Sequence, residues 1–279
     1  MTTAKFTLSA FADEIDNDLE TQLKVLDSEG VTYVEFRSAW GRNVLDLDAA
    51  QLQEAARLLK QYRFRVSAIG SPIGKSELTQ PREFEMERLE RAIAAAKALD
   101  TYQIRVFSFF VSHDQAAEHR TEVIERMRAL AERAATAGLR LLHENEKGIY
   151  GDTGERCYDL LHTINLPALR MAFDPANFVQ VGVRPMVDAW PLLADCTTHI
   201  HIKDAVFADG SVRPAGEGDG DLPGLIDVLV RRGYGGFLTL EPHLKIAGPS
   251  GGFSGEAGMR TAIRALRTLL AAHPDVPVA

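Results

Sequence analysis

Leu139-Arg140-Leu141-Leu142-His143-Glu144-Asn145-Glu146-Lys147 is an apolar run that stops abruptly among ionisable groups. It reads as a β-strand that surfaces at Glu144. A carboxylate at such a point is costly to bury unless something cationic meets it. Glu144 is therefore taken as one corner of a metal site, and the rest of the chain should supply the other corners at matching positions.

Working outward, short β-type runs alternate with longer helical patterns from one end to the other. Strands are expected at Phe6–Ala10, Val31–Phe36, Phe64–Ile69, Tyr102–Phe107, Leu139–Glu144, Leu169–Asp174, Thr197–Lys203 and Gly236–Glu241. Helices are expected from Asp13–Asp18 to about Gly30, at Asp48–Tyr62, Pro81–Leu99, Gln115–Ala137 and Gly255–Ala272. Eight strand-then-helix units without a linker predict an α/β protein, a single (β/α)8 TIM barrel over residues 1–279. An open doubly wound sheet is the alternative, but its Gly-rich phosphate turn is missing where the first strand runs into Phe11-Ala12-Asp13-Glu14. Gly216-Glu217-Gly218-Asp219-Gly220 holds two acids and no base, so it does not read as a phosphate cradle.

Composition bounds the function. Of 279 residues 46% are hydrophobic and 25% charged, ordinary for a globular chain, and the net charge of -8 argues against nucleic acid as a partner. Cys157 and Cys196 are far apart and form no CxxC pair, so neither a disulfide framework nor a thiolate zinc site is indicated. The Met1-Thr2-Thr3-Ala4-Lys5 start has no signal-peptide core, and no apolar run approaches the roughly 18 residues of a membrane span. A cytoplasmic protein with no membrane partner is expected.

In a barrel of this kind, chemistry collects at the C-terminal strand ends. Glu144, Asp174, His201 and Glu241 stand at four successive ends. Alternation along Thr198-His199-Ile200-His201-Ile202-Lys203 places the isoleucines on the outer face and His199, His201 and Lys203 on the inner one. The same reasoning turns Glu241 inward, opposite Leu238 and Leu240, and turns Asp174 inward, opposite Phe173. Parity is less decisive for Glu144, which shares its face with Leu142; His143 should face away. Each residue alone has a structural reading: a capping acid, a turn former before Pro175, a core histidine, a salt-bridge partner. Together, three carboxylates and an imidazole suit one divalent ion, Mn²⁺ first, with Mg²⁺, Co²⁺ or Zn²⁺ as alternatives.

Glu144-Asn145, Phe173-Asp174-Pro175-Ala176-Asn177, His199-Ile200-His201-Ile202-Lys203-Asp204 and Leu240-Glu241-Pro242-His243 resemble motifs of the xylose isomerase-like TIM-barrel superfamily. That group includes ketose 3-epimerases, hydroxypyruvate isomerase and AP endonucleases of the endonuclease IV type. By this resemblance Glu144, Asp174, His201 and Glu241 fall on the metal-ligand positions, with Glu146 an alternative to Glu144. Glu144 and Glu241 are implied as the acid/base pair that moves a proton beside a carbonyl, through a metal-stabilised enediolate. In the endonucleases a histidine stands three positions after the strand-six Asp; here it is Asn177, which speaks against nuclease chemistry.

The expected activity is a metal-dependent sugar or keto-sugar isomerase/epimerase. The alternatives are a lyase acting on 3-oxo-glycosides and a non-catalytic sugar-binding barrel. Glu35, Arg37, Lys75, His113, Asn177, Lys203, Arg213 and His243 are assigned to the substrate, with ion pairing or neutralisation of nearby acids as the plainer role of the charged ones. Trp40 is read as a mouth or packing residue, Glu217 as a loop acid, and Gly248–Gly255 as a loop over the last strand with Phe253 as its lid. A homo-oligomer is compatible with all of this.

Overall fold

The computed structural model describes residues 3–244, 246–248 and 251–279. Eight parallel strands close into a barrel: β1 (Thr7–Ala10), β2 (Tyr33–Phe36), β3 (Arg65–Gly70), β4 (Gln103–Val106), β5 (Arg140–Glu144), β6 (Leu169–Phe173), β7 (Thr197–Ile202) and β8 (Phe237–Leu240). Each strand pairs with its neighbours in sequence, and β1 closes on β8 with Thr7 opposite Phe237 and Ala10 opposite Leu240. The open-sheet alternative is thereby excluded. Every strand expected from the sequence is present, with ends within one or two residues of those expected.

The surrounding helices include α1 (Leu19–Ser28), α2 (Ala49–Gln61), α3 (Arg82–Ala98), α4 (Ala116–Thr136), α5 (Gly154–Ile164), α6 (Pro175–Val179), α7 (Trp190–Leu193), α8 (Leu222–Arg231) and α9 (Gly255–Leu270). The starts of α1, α2, α5, α6 and α8 are set by side chains that accept otherwise orphaned N–H groups. Asp18 caps α1, and Asp48 and Gln51 form a reciprocal capping box on α2. Among the described residues no helix is long and apolar enough to cross a membrane. Cys157 and Cys196 are both free thiols.

Alternation along the strands sorts the core into two regions. Outward residues such as Ile104, Leu141, Met171, Phe173, Ile200, Leu238 and Leu240 pack under the helices in one large apolar cluster. Inside the barrel Ala68, Leu142 and Ala172 form a separate small apolar cluster, and Phe11 packs against His201. The rest of the lumen is polar: Ser9 meets Ser67 at 2.7 Å, Gln103 donates to the Ser67 carbonyl, and Thr239 meets His199. Small and polar side chains leave room for charged ones above them. His143 does face away, buried against Ser108 outside the barrel wall.

The glycine loop after β7 has an internal purpose. Asp204 Oδ1 accepts from the backbone N–H of Ala205 and Gly220, and Oδ2 from those of Gly216 and Gly218, at 2.9–3.0 Å. The loop wraps a carboxylate of its own chain, which is why it carries no basic residue. A Cβ on Gly218 would lie 2.4 Å from Asp204 Oδ1 and 2.5 Å from the Ala205 carbonyl.

Asp204→Asn turns one of these acceptor oxygens into a donor nitrogen facing two N–H groups. It is expected to cost about 2–3 kcal/mol in unfolding free energy, measured by urea titration. A loss below about 0.5 kcal/mol would mean that the turns hold themselves.

Candidate metal centre

Glu144 ends β5, Asp174 and Glu241 immediately follow β6 and β8, and His201 is the penultimate residue of β7. One ligand atom from each of these four buried residues lies within 4.8 Å of every other. His201 Nδ1 is 3.2 Å from Glu144 Oε1 and 3.5 Å from Glu241 Oε2, yet it has no aligned hydrogen-bond partner. Asp174 Oδ2 faces only the Lys203 ammonium, at 2.8 Å and out of line for a hydrogen bond. Three hard oxygen donors and an imidazole aimed at one point fit a divalent ion.

Local structure holds each donor. Asp174 Oδ1 caps α6 by accepting from the Asn177 N–H, which leaves Oδ2 for the site. Asn145 and Asp174 exchange hydrogen bonds, Nδ2 to the Asp174 carbonyl and the Asp174 N–H to Oδ1, tying the ends of β5 and β6 together. Asn177 Nδ2 donates to Glu144 Oε1 and to the Asn145 carbonyl. The two asparagines of the Glu-Asn and Asp-Pro-Ala-Asn motifs thus orient the two acids.

The electrostatics are those of acids crowded out of water. Burial raises the Asp174 carboxyl to about 6, with Glu144 and Glu241 adding to the rise against the pull of Lys203. Burial also opposes ionisation of Glu144, but His201 and Arg105 outweigh it and bring its carboxyl down to about 2. Although burial disfavours a charged ring at His201, Glu144 and Glu35 draw its pKa well above the imidazole range. At His243 burial is likewise overcome, by Glu241 and Glu14, and the ring rises to about 9. The rises at His201 and His243 come from neighbouring carboxylates, and the fall at Glu144 from neighbouring cations.

A cavity of about 380 Å³ opens beside the cluster, lined in part by Arg37, Lys75, Arg105, Phe107, Glu144, Glu241 and His243. Lys75 spans the mouth to Glu146 at 2.9 Å and lies over the Phe107 ring. That contact places Glu146 at the rim, away from the four-residue cluster. Gly74 brings Lys75 there with φ +82°; a Cβ on it would lie 2.1 Å from the Phe107 carbonyl oxygen. Arg37 reaches Asp13 at 2.8 Å and Glu241 at 3.2 Å.

Other assignments shift. Asn177, 2% exposed, holds Glu144 rather than facing the cavity. Lys203 is buried between Asp174 and Glu241, at 2.8 and 3.2 Å, neutralising both. Glu35 is fully buried beneath His201, out of reach of anything in the cavity. The side chain of His113 is 76% exposed on a loop fastened outward by Arg156, which donates to its carbonyl. Arg213 sits in a hairpin with Asp204 and turns back to the Val212 carbonyl. Neither His113 nor Arg213 lines the cavity. Trp40 packs against the core, and Glu217 is exposed. Of the loop expected over the last strand, Pro249 and Ser250 lie outside the described residues; Phe253 is 44% exposed and does not line the cavity.

Arg105 escaped the sequence reading. Its Nη1 lies 2.8 Å from Glu144 Oε2 and 3.8 Å from Glu241 Oε1, and its guanidinium stacks between Phe11 and Phe107. The signal was present: in Ile104-Arg105-Val106 the apolar neighbours face the helices, which turns the arginine inward. Glu14 escaped as well. It accepts from Ser254 Oγ and the His243 N–H, and its Oε1 is 3.1 Å from His243 Nε2.

A curated relative, 3-dehydroshikimate dehydratase of Bacillus anthracis, is 24% identical over 173 residues, which are 61% of this chain and 61% of the relative. The match therefore spans less than two thirds of that protein's length. A solved D-tagatose 3-epimerase-like protein superposes with a TM-score of 0.74 at 18% identity, covering 97% of this chain and 98% of its own. The IOLI protein, crystallised with a binding zinc atom, gives 0.73 at 15% identity, covering 96% and 99%. At these identities the structural matches establish the fold alone. The model of one family, described as xylose isomerase-like TIM barrel, matches residues 23–269, and the chain belongs to that family.

Proposed function

We propose that this protein is a divalent-metal-dependent enzyme that isomerises or epimerises a sugar or keto-sugar by moving a proton on a carbon next to a carbonyl. The observation that carries the reading is the convergence of Glu144, Asp174, His201 and Glu241, two of which, Glu144 and Glu241, line a single cavity. A divalent ion held by these four would polarise a substrate oxygen and acidify the neighbouring C–H. Mn²⁺ suits the oxygen-rich donor set best, with Mg²⁺, Co²⁺ and Zn²⁺ as substitutes.

The remaining work falls to the chain. Glu144 and Glu241 both line the cavity, and a carboxylate of either can take the proton while the other returns it. Arg105, close to both, holds them as anions. Phe107, Phe110 and Pro72 keep part of the wall dry, and Lys75 and Arg37 supply donors for substrate hydroxyls or an anionic group.

A second reading, a lyase, is favoured by His243. The ring lines the cavity with Nε2 3.4 Å from Glu241 Oε1, so Glu241 can remove the proton while His243 protonates a departing oxygen. The dehydratase named for the curated relative is of this reaction class.

Metal analysis of purified protein is expected to find about one divalent ion per chain, with Asp174→Ala lowering affinity by about 100-fold or more. Unchanged binding in that variant would remove the proposed centre. Incubation of candidate ketoses in deuterated water should exchange a hydrogen next to the carbonyl. Glu144→Gln and Glu241→Gln should each slow that exchange by about 100-fold or more. Exchange that persists in both would exclude the pair. In the lyase case a dehydrated product accumulates and His243→Asn slows its release while sparing exchange; rearranged substrate without loss of water sinks the lyase.

A further inference from the structure

Glu35, in β2, has no exposed surface. Its Oε2 lies 2.8 Å from His199 Nε2 and 3.2 Å from His201 Nε2. A carboxylate oxygen accepts, so a ring nitrogen that bonds to it must carry the proton. In a neutral imidazole that leaves the other nitrogen, Nδ1, as a lone pair. For His201 this is the atom that faces Glu144 and Glu241.

The ring has little freedom to do otherwise. Phe11 packs edge-on against His201 with centroids 5.3 Å apart, and His199 meets it at 85° and 5.4 Å. Glu35 is fixed in turn, because His199 Nε2 also lies 2.8 Å from Thr239 Oγ1 in β8. A carboxylate from β2, an imidazole from β7 and a hydroxyl from β8 thus form a brace across the lumen below the centre. Nothing in the brace reaches the cavity.

We infer that Glu35 is a positioning residue: by accepting the Nε2–H of His201 it presents Nδ1 as the ligand atom and so sets the affinity for the divalent ion. The inference rests on the metal-centre reading above and goes beyond it in naming the group that selects the tautomer. A carboxylate on the far nitrogen also makes the ligand nitrogen more basic, and loss of such a partner typically costs about 10–100-fold in metal affinity.

The test titrates metal-depleted full-length protein with Co²⁺, following the visible absorption of the bound ion. Glu35→Gln is expected to bind about 10–100-fold more weakly than wild type, with a shifted absorption band, and Glu35→Asp, which keeps the charge, is expected to recover part of the loss. Affinity within about twofold of wild type and an unshifted band in Glu35→Gln would overturn the assignment. If Glu35→Gln does not fold, the histidine ¹⁵N spectrum of zinc-loaded wild type decides. A proton on Nε2 of His201 with the metal on Nδ1 supports the proposal, and the reverse overturns it. Failure of the wild type to bind Co²⁺ or Zn²⁺ would overturn the metal-centre reading itself, whereas tight wild-type binding with an indifferent Glu35→Gln removes only the role of Glu35.

Discussion

His201 Nδ1 points at two carboxylate oxygens, 3.2 and 3.5 Å away, on side chains that are almost entirely buried. With Nε2 turned to Glu35, a neutral His201 presents a lone pair to lone pairs, an arrangement that is repulsive unless a proton or a cation lies between. The surrounding charges repeat the demand. Asp13, Glu14, Glu35, Glu144, Asp174 and Glu241 outnumber the permanently charged Arg37, Arg105 and Lys203. Protonated His201 and His243 make up part of that difference when no cation is present, and burial makes what remains expensive.

That constraint explains features of the fold that stability alone would not select. TIM barrels ordinarily fill the lumen with branched apolar side chains. Here a small apolar cluster of Ala68, Leu142 and Ala172 and the Phe11 ring share the interior with hydroxyls, an amide and two imidazoles. Apolar packing is displaced to the interface between strands and helices, where the large cluster sits. The lumen can then be specialised for holding side-chain directions, as the Glu35, His199 and Thr239 brace does.

Strand alternation made the architecture legible, because a period of two is a property of the chain itself. Ile200 and Ile202 against His199 and His201 fixed one wall, and Leu238 and Leu240 against Glu241 another; both orientations recur in the structure. Partner choice was not legible in the same way. Asn177 reads equally as a substrate contact or an orienting amide until the fold puts Glu144 at 3.1 Å. Glu35 and Arg37 share one parity, yet the first is sealed under His201 and the second reaches the cavity, because Arg37 stands two residues, about 6.6 Å, further toward the strand's C-terminal end. His113 and Arg213 belong to loops, where no period constrains direction. Arg105 was legible by alternation and passed over because it does not resemble a ligand.

The two glutamates proposed for proton transfer are not equivalent. Glu144 is held by Arg105 and by the Asn177 amide, neither of which releases a proton near neutral pH. Glu241 has the His243 ring within 3.4 Å, which can exchange a proton, and the Lys203 ammonium within 3.2 Å, which stays charged. A proton that arrives on Glu241 has a route onward through His243; the titratable neighbour of Glu144 is His201, itself a proposed ligand. Conservative return of one proton between two faces suits Glu144, whereas loss of a leaving group needs a second proton, which His243 can supply on the Glu241 side. The choice between rearrangement and elimination therefore turns on where the substrate places its leaving oxygen relative to His243, more than on the four residues of the centre.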